Sequence, residues 1–452
     1  MDTPSQARPR KTGREGVTTI PEGSRAKRPE AHRTPQGPLG RVGDEIVCSA
    51  AETRSCPKGR SRTSDPGRTQ GLHQKLNFVG TVSREYDDRF ARQGAKVGDT
   101  LKVRLPNQYA VRTGPALATQ DTNETSVELK VQTQKGVDLN FTSVDLTMSL
   151  DDFSDRVLEP AMSVLAASIE ADAMTMYQDV ANQVNSQGAA ASFQKVLLGR
   201  KLLVDNLAPL GGRTANLNTQ DNMDLVDALK GLFNDSDAVA KQYREGYMGR
   251  TAGFDFMENT LWPAHLRGAG AGYTTNTLSA VLPASPNPVN AITVATGTGT
   301  LVKGDVFTIA GVMRVHPETK FSTGVQQQFV VTQTHPGGAG LVQISPPIIT
   351  NGPQQTVTMA TTNAASPIAV AGTPTTAHGL SMLYHKSAFA FATADLVMPR
   401  GVDFSARQTF DGISMRIVRQ YDINSDRFPC RLDVLYGYRT LRPQLACRLA
   451  CN

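Results

Sequence analysis

A chain of 452 residues is too long for one simple hydrophobic core and points to about two or three domains. Its 39% hydrophobic and 19% charged residues suit a soluble globular protein. No stretch reaches the roughly 18 uninterrupted apolar residues that span a bilayer, and the opening MDTPSQARPRKTGREG lacks the apolar run of a secretory signal, so synthesis and use in a cytoplasm are expected. The net charge of +6 sits wholly in residues 1–72, which hold 14 of the 47 Lys and Arg and 8 of the 41 Asp and Glu, while the other 33 and 33 cancel; the body therefore lacks the basic signature of a nucleic-acid-binding domain.

Residues 1–72 contain no Phe, Tyr or Trp, and 17 of the 72 are Gly or Pro. Such a segment buries too little apolar surface to offset its ordering entropy, which predicts a disordered, basic lead. Three readings stay open for it: a solvated tail, a segment arising from a misplaced start site or shifted frame, and a DNA-facing arm.

Order begins near His73–Phe90. Leu101, Val103 and Leu105 then alternate with Lys102 and Arg104, and after a turn-rich stretch (Arg112–Ser126) Val127, Leu129 and Val131 alternate with Glu128, Lys130 and Gln132. Val137, Leu139 and Phe141 repeat the period of two, which marks strands with one apolar and one wet face. Two such strands around a loop of roughly 20 residues predict a long hairpin, marginal in isolation and in need of a surface to lie on.

The period then changes. Leu158, Met162, Leu165, Ile169, Ala173, Met176, Val180 and Val184 recur at steps of three and four, with Pro160 at a first helical position and Asp151, Asp152, Asp155 and Glu159 around the start. This predicts one helix over Pro160–Val184, about 37 Å long at 1.5 Å per residue. Residues 190–266 have a mixed α/β texture, with a helix near Asp221–Phe233. No Asp, Glu, Lys or Arg occurs between Gly268 and Val302, or between Phe321 and His385. There, short β-type runs (Ile292–Val294, Val306–Ile309, Gln328–Thr332, Leu341–Ile344, Thr356–Met359) alternate with Gly, Pro, Asn and Thr clusters, as in an inserted all-β domain. The end carries strands with Ile413, Met415 and Ile417, then Leu432, Val434 and Tyr436.

Chemistry-bearing motifs are missing. There is no phosphate-binding loop, HExxH, GxSxG or CxxC, and Gly268–Gly272 fails the dinucleotide fingerprint at Tyr273. The seven histidines are scattered. Cys48, Cys56, Cys430, Cys447 and Cys451 form no disulfide framework; Cys447 and Cys451, four apart, suit one helix face but have no histidine nearby to complete a metal set. No catalytic, cofactor-binding or metal residue is assigned.

Four stretches, in this order, resemble the P22-type coat proteins of short-tailed phages: Glu159–Tyr177, Thr251–Pro263, Leu301–Val315 with Gln326–Gln333, and Tyr421–Pro443. The resemblance covers about residues 73–445. It implies an α+β, Hong Kong 97-like capsid fold with a telokin-like inserted β domain. The implied domains are the lead 1–72, an N-terminal segment and extended hairpin in 73–150, a spine helix in 151–195, axial parts in 196–267 and about 386–445, an inserted barrel in 268–380, and 381–452 returning to the axial and peripheral parts. Family members open with a short helical arm where this chain has Pro66–Leu72, and the Gly268–Asn290 loop carries no charge for salt bridges between capsomers.

The implied function is structural: a non-enzymatic, cofactor-free subunit that self-assembles into an icosahedral virion shell around packaged double-stranded DNA. Its implied partners are itself in pentamers and hexamers, a scaffolding protein, a portal protein, and DNA by weak non-specific contact, with no membrane. The hairpin of about Val97–Leu146 would lie across a neighbour, making Leu101, Val103, Leu105, Val127, Leu129 and Val131 the candidate assembly contacts. The rival readings are a nucleic-acid-binding protein acting through the basic lead and an uncharacterised α/β enzyme.

Overall fold

The computed structural model describes residues 76–84, 100–142 (except 110, 113, 118 and 120–123), 159–229, 249–277, 288–359, 365–410 and 413–451. The lead of residues 1–72, the acidic run before residue 159 and the expected helical residues 230–233 lie outside them.

The described chain starts with a short helix, α1 (Asn77–Thr81), whose Phe78 and Val79 are buried. Phe78 packs edge-on to Trp262 and Tyr384 at 5.8 and 5.3 Å and beside Phe389 at 5.5 Å. Strands β1 (Thr100–Arg104) and β2 (Ser126–Lys130) form the expected antiparallel hairpin, with Leu101 opposite Leu129 and Val103 opposite Val127. The next alternating run does not prolong it. Strand β3 (Thr133–Thr142) pairs instead with residues 427–436, so the hairpin ends at residue 130 rather than near Leu146.

Helix α2 (Glu159–Met174) is 16 residues long, about 24 Å, not the 25 residues that the apolar stripe suggests. The stripe continues, but the backbone does not stay α-helical. Thr175–Asp179 tightens into a 3₁₀ turn and Gln183–Asn185 becomes strand β4, leaving Met176, Val180 and Val184 buried as expected. Pairing of β4 with the C-terminal strand and the bond from Tyr177 to His265 hold this change of conformation.

Helix α3 (Phe193–Asp205), β5 (Arg213–Leu217), α4 (Thr219–Leu229), β6 (Arg250–Thr251), β7 (Phe254–Glu258) and β8 (His265–Leu266) follow. With β16 (Ala377–His385) and β21 (Ala446–Cys451), introduced here ahead of the strands between them, they build a mixed sheet in the order β4-β21-β16-β5-β7-β6, with β8 on β16. Helix α3 lies close on this sheet because Gly199 has no side chain: a Cβ there would overlap Leu383.

Between β8 and β16 runs an antiparallel barrel of β9 (Ala271–Thr277), β10 (Val289–Thr298), β11 (Val306–Val315), β12 (Ser322–Val331), β13 (Gly340–Ile348), β14 (Val357–Met359) and β15 (Ala365–Val370). The order β12-β13-β10-β9-β15-β11 closes through β11–β12 pairing, and β14 attaches to β11. Closure removes sheet edges and encloses a core of its own, with Phe307 and Phe329 opposite each other at 5.8 Å amid Ile292, Val294, Val342 and Ile344. Five of the seven strands coincide with the β-type runs. The other two were missed: β9 lies in the stretch read as a loop, and β15 is Ala-Ser-Pro-Ile-Ala-Val.

Strands β17 (Phe389–Ala394), β18 (Phe404–Phe410), β19 (Ile413–Arg419) and β20 (Arg427–Thr440) form a third sheet in which β20 also pairs with β3. Residues 389–440 therefore pair with β3 rather than with the sheet of residues 196–267, with which the resemblance grouped about 386–445. They lie beside α2, where Asp172 accepts from Lys135 at 2.7 Å and Tyr436 at 2.5 Å.

Candidate assembly surfaces

The hairpin has two parts with different surroundings. At its base, Val103, Leu129 and Val131 are buried against Ala390, Ala392, Ala394, Leu435 and Leu441, with Leu101 and Val127 on the rim of that cluster. The alanines of FAFATA keep this sheet face flat. Gly437 lets the hairpin backbone touch it, since a Cβ there would overlap the backbone of Lys130 and Val131. Five of the six candidate contact residues are thus covered from within the chain; Leu105, just beyond β1, is half-buried. This corrects the expectation that a neighbour covers the hairpin's apolar face. The alternation was read correctly, but it could not say whose sheet the face meets.

The tip is the part left open. Val111 is 94% exposed, Leu117 84% and Tyr109 58%. Arg112 donates to the carbonyls of Gly114 and Ala116, which ties the turn together. Arg104 and Glu124 pair across the limbs at 3.0 Å, and Lys320 of the barrel donates to Gln108 at 3.1 Å. An ordered turn that displays three large apolar side chains can gain by being covered. Sequence reading passed over them because they lie singly among turn-forming residues, outside any period.

Where the chain enters and leaves the barrel, the packing turns polar. Asp305, almost fully buried, accepts from His265 at 3.0 Å and from the backbone of Val302 at 2.8 Å and Gly268 at 3.2 Å. Tyr177 meets the other ring nitrogen of His265 at 3.2 Å. Arg448, wholly buried on β21, donates to Gly304 at 2.8 Å and lies over the Tyr177 ring. Burial pushes its pKa down to about 10. His378 stacks edge-on to His265 at 5.5 Å and meets Gln187 at 2.9 Å. Burial, then the neighbouring His265 and Arg448, push its pKa down to about 4, so its ring is neutral. Gln328 of β12 both accepts from Gln183 N–H and donates to Gln183 carbonyl at 2.9 Å, and Arg314 pairs with Asp205 at 2.7 Å. Directional bonds of this kind hold one orientation of barrel on sheet, which apolar contact alone would not.

A second buried carboxylate secures the start of the fold. Glu170 on α2 accepts from the backbone N–H groups of Phe78 at 2.5 Å and Val79 at 3.0 Å and from Asn259 at 2.9 Å. Burial outweighs these bonds and raises its pKa to about 7.

None of this forms a reaction centre. Among the described residues, no three His, Cys, Asp or Glu converge as a metal set. Cys447 and Cys451 sit on strand β21, not on a helix, and burial pushes both thiols up to about 12, far from a reactive thiolate at neutral pH. No described helix is long and apolar enough to cross a membrane.

The chain is similar to solved chains of phage particles. With a chain of Mycobacterium phage Che8 it shares 12% identity at a TM-score of 0.42, over 83% of this chain and 90% of that one. With the asymmetric unit of the bacteriophage PhiM1 mature capsid the values are 10% and 0.39, over 91% and 92%, and with the capsid of an empty GTA particle 8% and 0.35, over 89% and 95%. No curated protein matches it. The model of the family described as P22 coat protein – gene protein 5 matches residues 70–448, from the residues just before α1 to the last strand. The chain therefore belongs to the P22 coat protein family: it is the major capsid protein of a tailed phage, a non-enzymatic subunit of the virion shell.

Proposed function

We propose that the subunit builds its shell by reaching over a neighbour with the hairpin tip while the hairpin base stays anchored on its own sheet. The observation that carries this reading is the exposure of Val111, Leu117 and Tyr109 on a tied turn, above a base whose apolar face is already covered. The barrel of about residues 268–380 acts as a brace between capsomers, and the mixed sheet with α3 and α4 gathers around the symmetry axes. A scaffolding protein and a portal protein take part in assembly. The enclosed double-stranded DNA is met by weak, non-specific contact, in keeping with a charge balance of zero outside residues 1–72. Each contact can be weak, because a closed shell repeats it by symmetry. Electron microscopy of the purified chain after expression tests the reading: shells, tubes or rings of subunits are expected, and a protein that stays monomeric at high concentration overturns it.

A further inference from the structure

Several surface arginines have a carboxylate beside them: Arg104 pairs with Glu124, Arg407 with Asp395, Arg419 with Asp403 and Arg431 with Asp138. One corner of the mixed sheet departs from this. Strand β5 begins there with Arg213, and β16 ends there with His385, its partner in register. Lys386 follows, its backbone N–H bonded to the Gly212 carbonyl at 3.1 Å. Arg442 arrives on the turn after β20, where its N–H donates to the Ala388 carbonyl at 3.0 Å. Arg200 reaches the corner from α3.

Four cations and an imidazole thus come together from four separate stretches of chain, and their fields overlap. Arg213 is 1% exposed and donates to the carbonyls of Ala208 at 2.5 Å and Pro209 at 2.6 Å. Burial first, then Arg200, lowers its pKa. Burial first, then Lys386, lowers that of His385; a bond to Gly211 opposes the fall, and Arg213 and Arg442 add to it. The charged neighbours acting on these two groups are all cations. Among the described residues, none of Arg200, Lys386 and Arg442 makes an ion pair. Like charges gathered without acids repel one another, and a bound anion removes that repulsion. Lys386 is exposed and Arg200 and Arg442 are half-buried, so the charges are spread over a surface rather than wrapped around a pocket. Such a surface fits a polyanion laid across it better than a single enclosed ion.

We propose that this corner is where the subunit meets the phosphate backbone of the enclosed double-stranded DNA, and that it therefore faces the inside of the shell. The inference rests on the shell-forming function above and adds the site of contact. Arg200, Lys386 and Arg442 each meet a phosphate, and the buried Arg213 adds its charge from behind without leaving its carbonyls. A few phosphates per subunit make a weak contact with no sequence preference, which the shell repeats by symmetry. The 33 Lys and Arg and 33 Asp and Glu of residues 73–452 cancel, so the attraction is local to the corner and not a property of the whole body.

The test is the binding of a short DNA duplex to full-length subunits, read by fluorescence anisotropy. One variant carries Arg200→Glu, Lys386→Glu and Arg442→Glu. A second carries Lys102→Glu, Lys130→Glu and Lys303→Glu, the same change of charge at exposed lysines elsewhere. Residues 1–72 are present in every chain, so their charge cancels from the comparison. The corner variant should melt no lower than the parent, because its three altered side chains have no acidic partner to lose. It should bind at least tenfold more weakly at about 50 mM salt, and the slope of log affinity against log salt should shrink by about 2–3, since each phosphate contact contributes roughly 0.9. The control variant should stay within about threefold of the parent. Should the corner variant fail to fold, Arg200→Gln with Lys386→Gln should still weaken binding at least threefold. Parent-like affinity in the corner variant, or equal losses in both variants, overturns the DNA site. Parent-like affinity together with lost particles overturns it as well and gives the corner to carboxylates of a neighbouring subunit. An unmodified chain that forms no particles overturns the shell function, whatever its affinity for DNA.

Discussion

The hairpin and the barrel are both antiparallel β structures, and they solve the problem of a half-apolar strand in opposite ways. The barrel curls six strands into a ring, so its apolar faces meet one another, and among the described residues only the short strand β14 is left at an edge. The hairpin has two strands and cannot close. Its base borrows a cover from β17 and β20, while Val111 and Leu117 at its tip stay exposed among the described residues. A domain that carries its own core can be displaced as a unit, whereas a ribbon that borrows one transmits the state of whatever it touches. Damage to the base should therefore act on the subunit, damage to the barrel core on the barrel, and damage to the tip on the assembly.

The largest effect is expected at the base. Leu129 is fully buried, so Leu129→Asp sets a carboxylate among the alanines, valines and leucines of an apolar cluster. The cost of an unpaired buried charge is comparable to the whole stability of a domain. The variant should be recovered as insoluble or unfolded chain, while Lys130→Asp, on the exposed face one residue away, should fold normally. A soluble Leu129→Asp subunit with an unchanged melting temperature would mean that the base is not packed on its own sheet.

Next comes the barrel. Phe329→Ala removes a ring that faces Phe307 across β11 and β12 and should cost about 3–5 kcal/mol. If the barrel is a separate unit, differential scanning calorimetry should show one transition moving down while another stays in place. A fragment of about residues 268–380 should also melt cooperatively by itself. A single transition that shifts as a whole would contradict the separation.

How much of this contrast could be read in the sequence differs between the two regions. The barrel was visible as a change of texture, with five β-type runs separated by Gly, Pro, Asn and Thr clusters and two long charge-free stretches, because its strands bury their own alternate residues. Strands β9 and β15 escaped because Thr, Ala, Ser and Pro carry little apolar signal, although β9 places Tyr273 in the barrel core. The hairpin's strands were equally visible, but the sheet beneath them comes from residues some 260 to 330 positions later, and no local period reports that pairing. For the same reason α2 was read nine residues too long: the stripe through Val184 is real, but whether its residues are buried by helix or by strand is decided by β21, at the far end of the chain. The polar cluster at the barrel root left no trace, since His265, Asp305, His378 and Arg448 are scattered in sequence and meet only in the fold.

That root offers a finer probe of how firmly the barrel is held. His378 is neutral in the fold with a pKa near 4, against 6.5 for an ordinary histidine, because burial, His265 and Arg448 oppose its charge more than Asp305 favours it. Its contribution is intact above pH 6.5 and is lost as pH falls towards 4, by about 3 kcal/mol at most. Glu170 works in the opposite direction: its raised pKa, about 7, makes the fold more stable as pH falls from 7 to 4.5. The two offset each other in the parent protein. His378→Asn should therefore shift the difference between the melting temperatures at pH 5 and pH 7 by several degrees in favour of acid. An unchanged difference would show that the histidine is not held neutral at this junction.

The smallest effect on stability belongs to the tip. Val111 and Leu117 are almost fully exposed, so the subunit should not register their loss. The variant with Val111→Asp and Leu117→Asp together should keep the parent's melting temperature within error and its solubility, because two charges in water replace two apolar groups in water. Assembly should respond strongly, because in the shell those positions would enter a dry contact and each carboxylate would lose its hydration without gaining a partner. Sedimentation of the variant should find free subunits or small rings where the parent gives particles. Co-assembly sharpens the comparison: a base variant that cannot fold should drop out of mixed particles, whereas the tip variant should enter them in proportion to the tolerance of its neighbours. Normal particles from the tip variant alone would place the neighbour contact elsewhere on the hairpin and leave Val111 and Leu117 as plain solvent-facing residues.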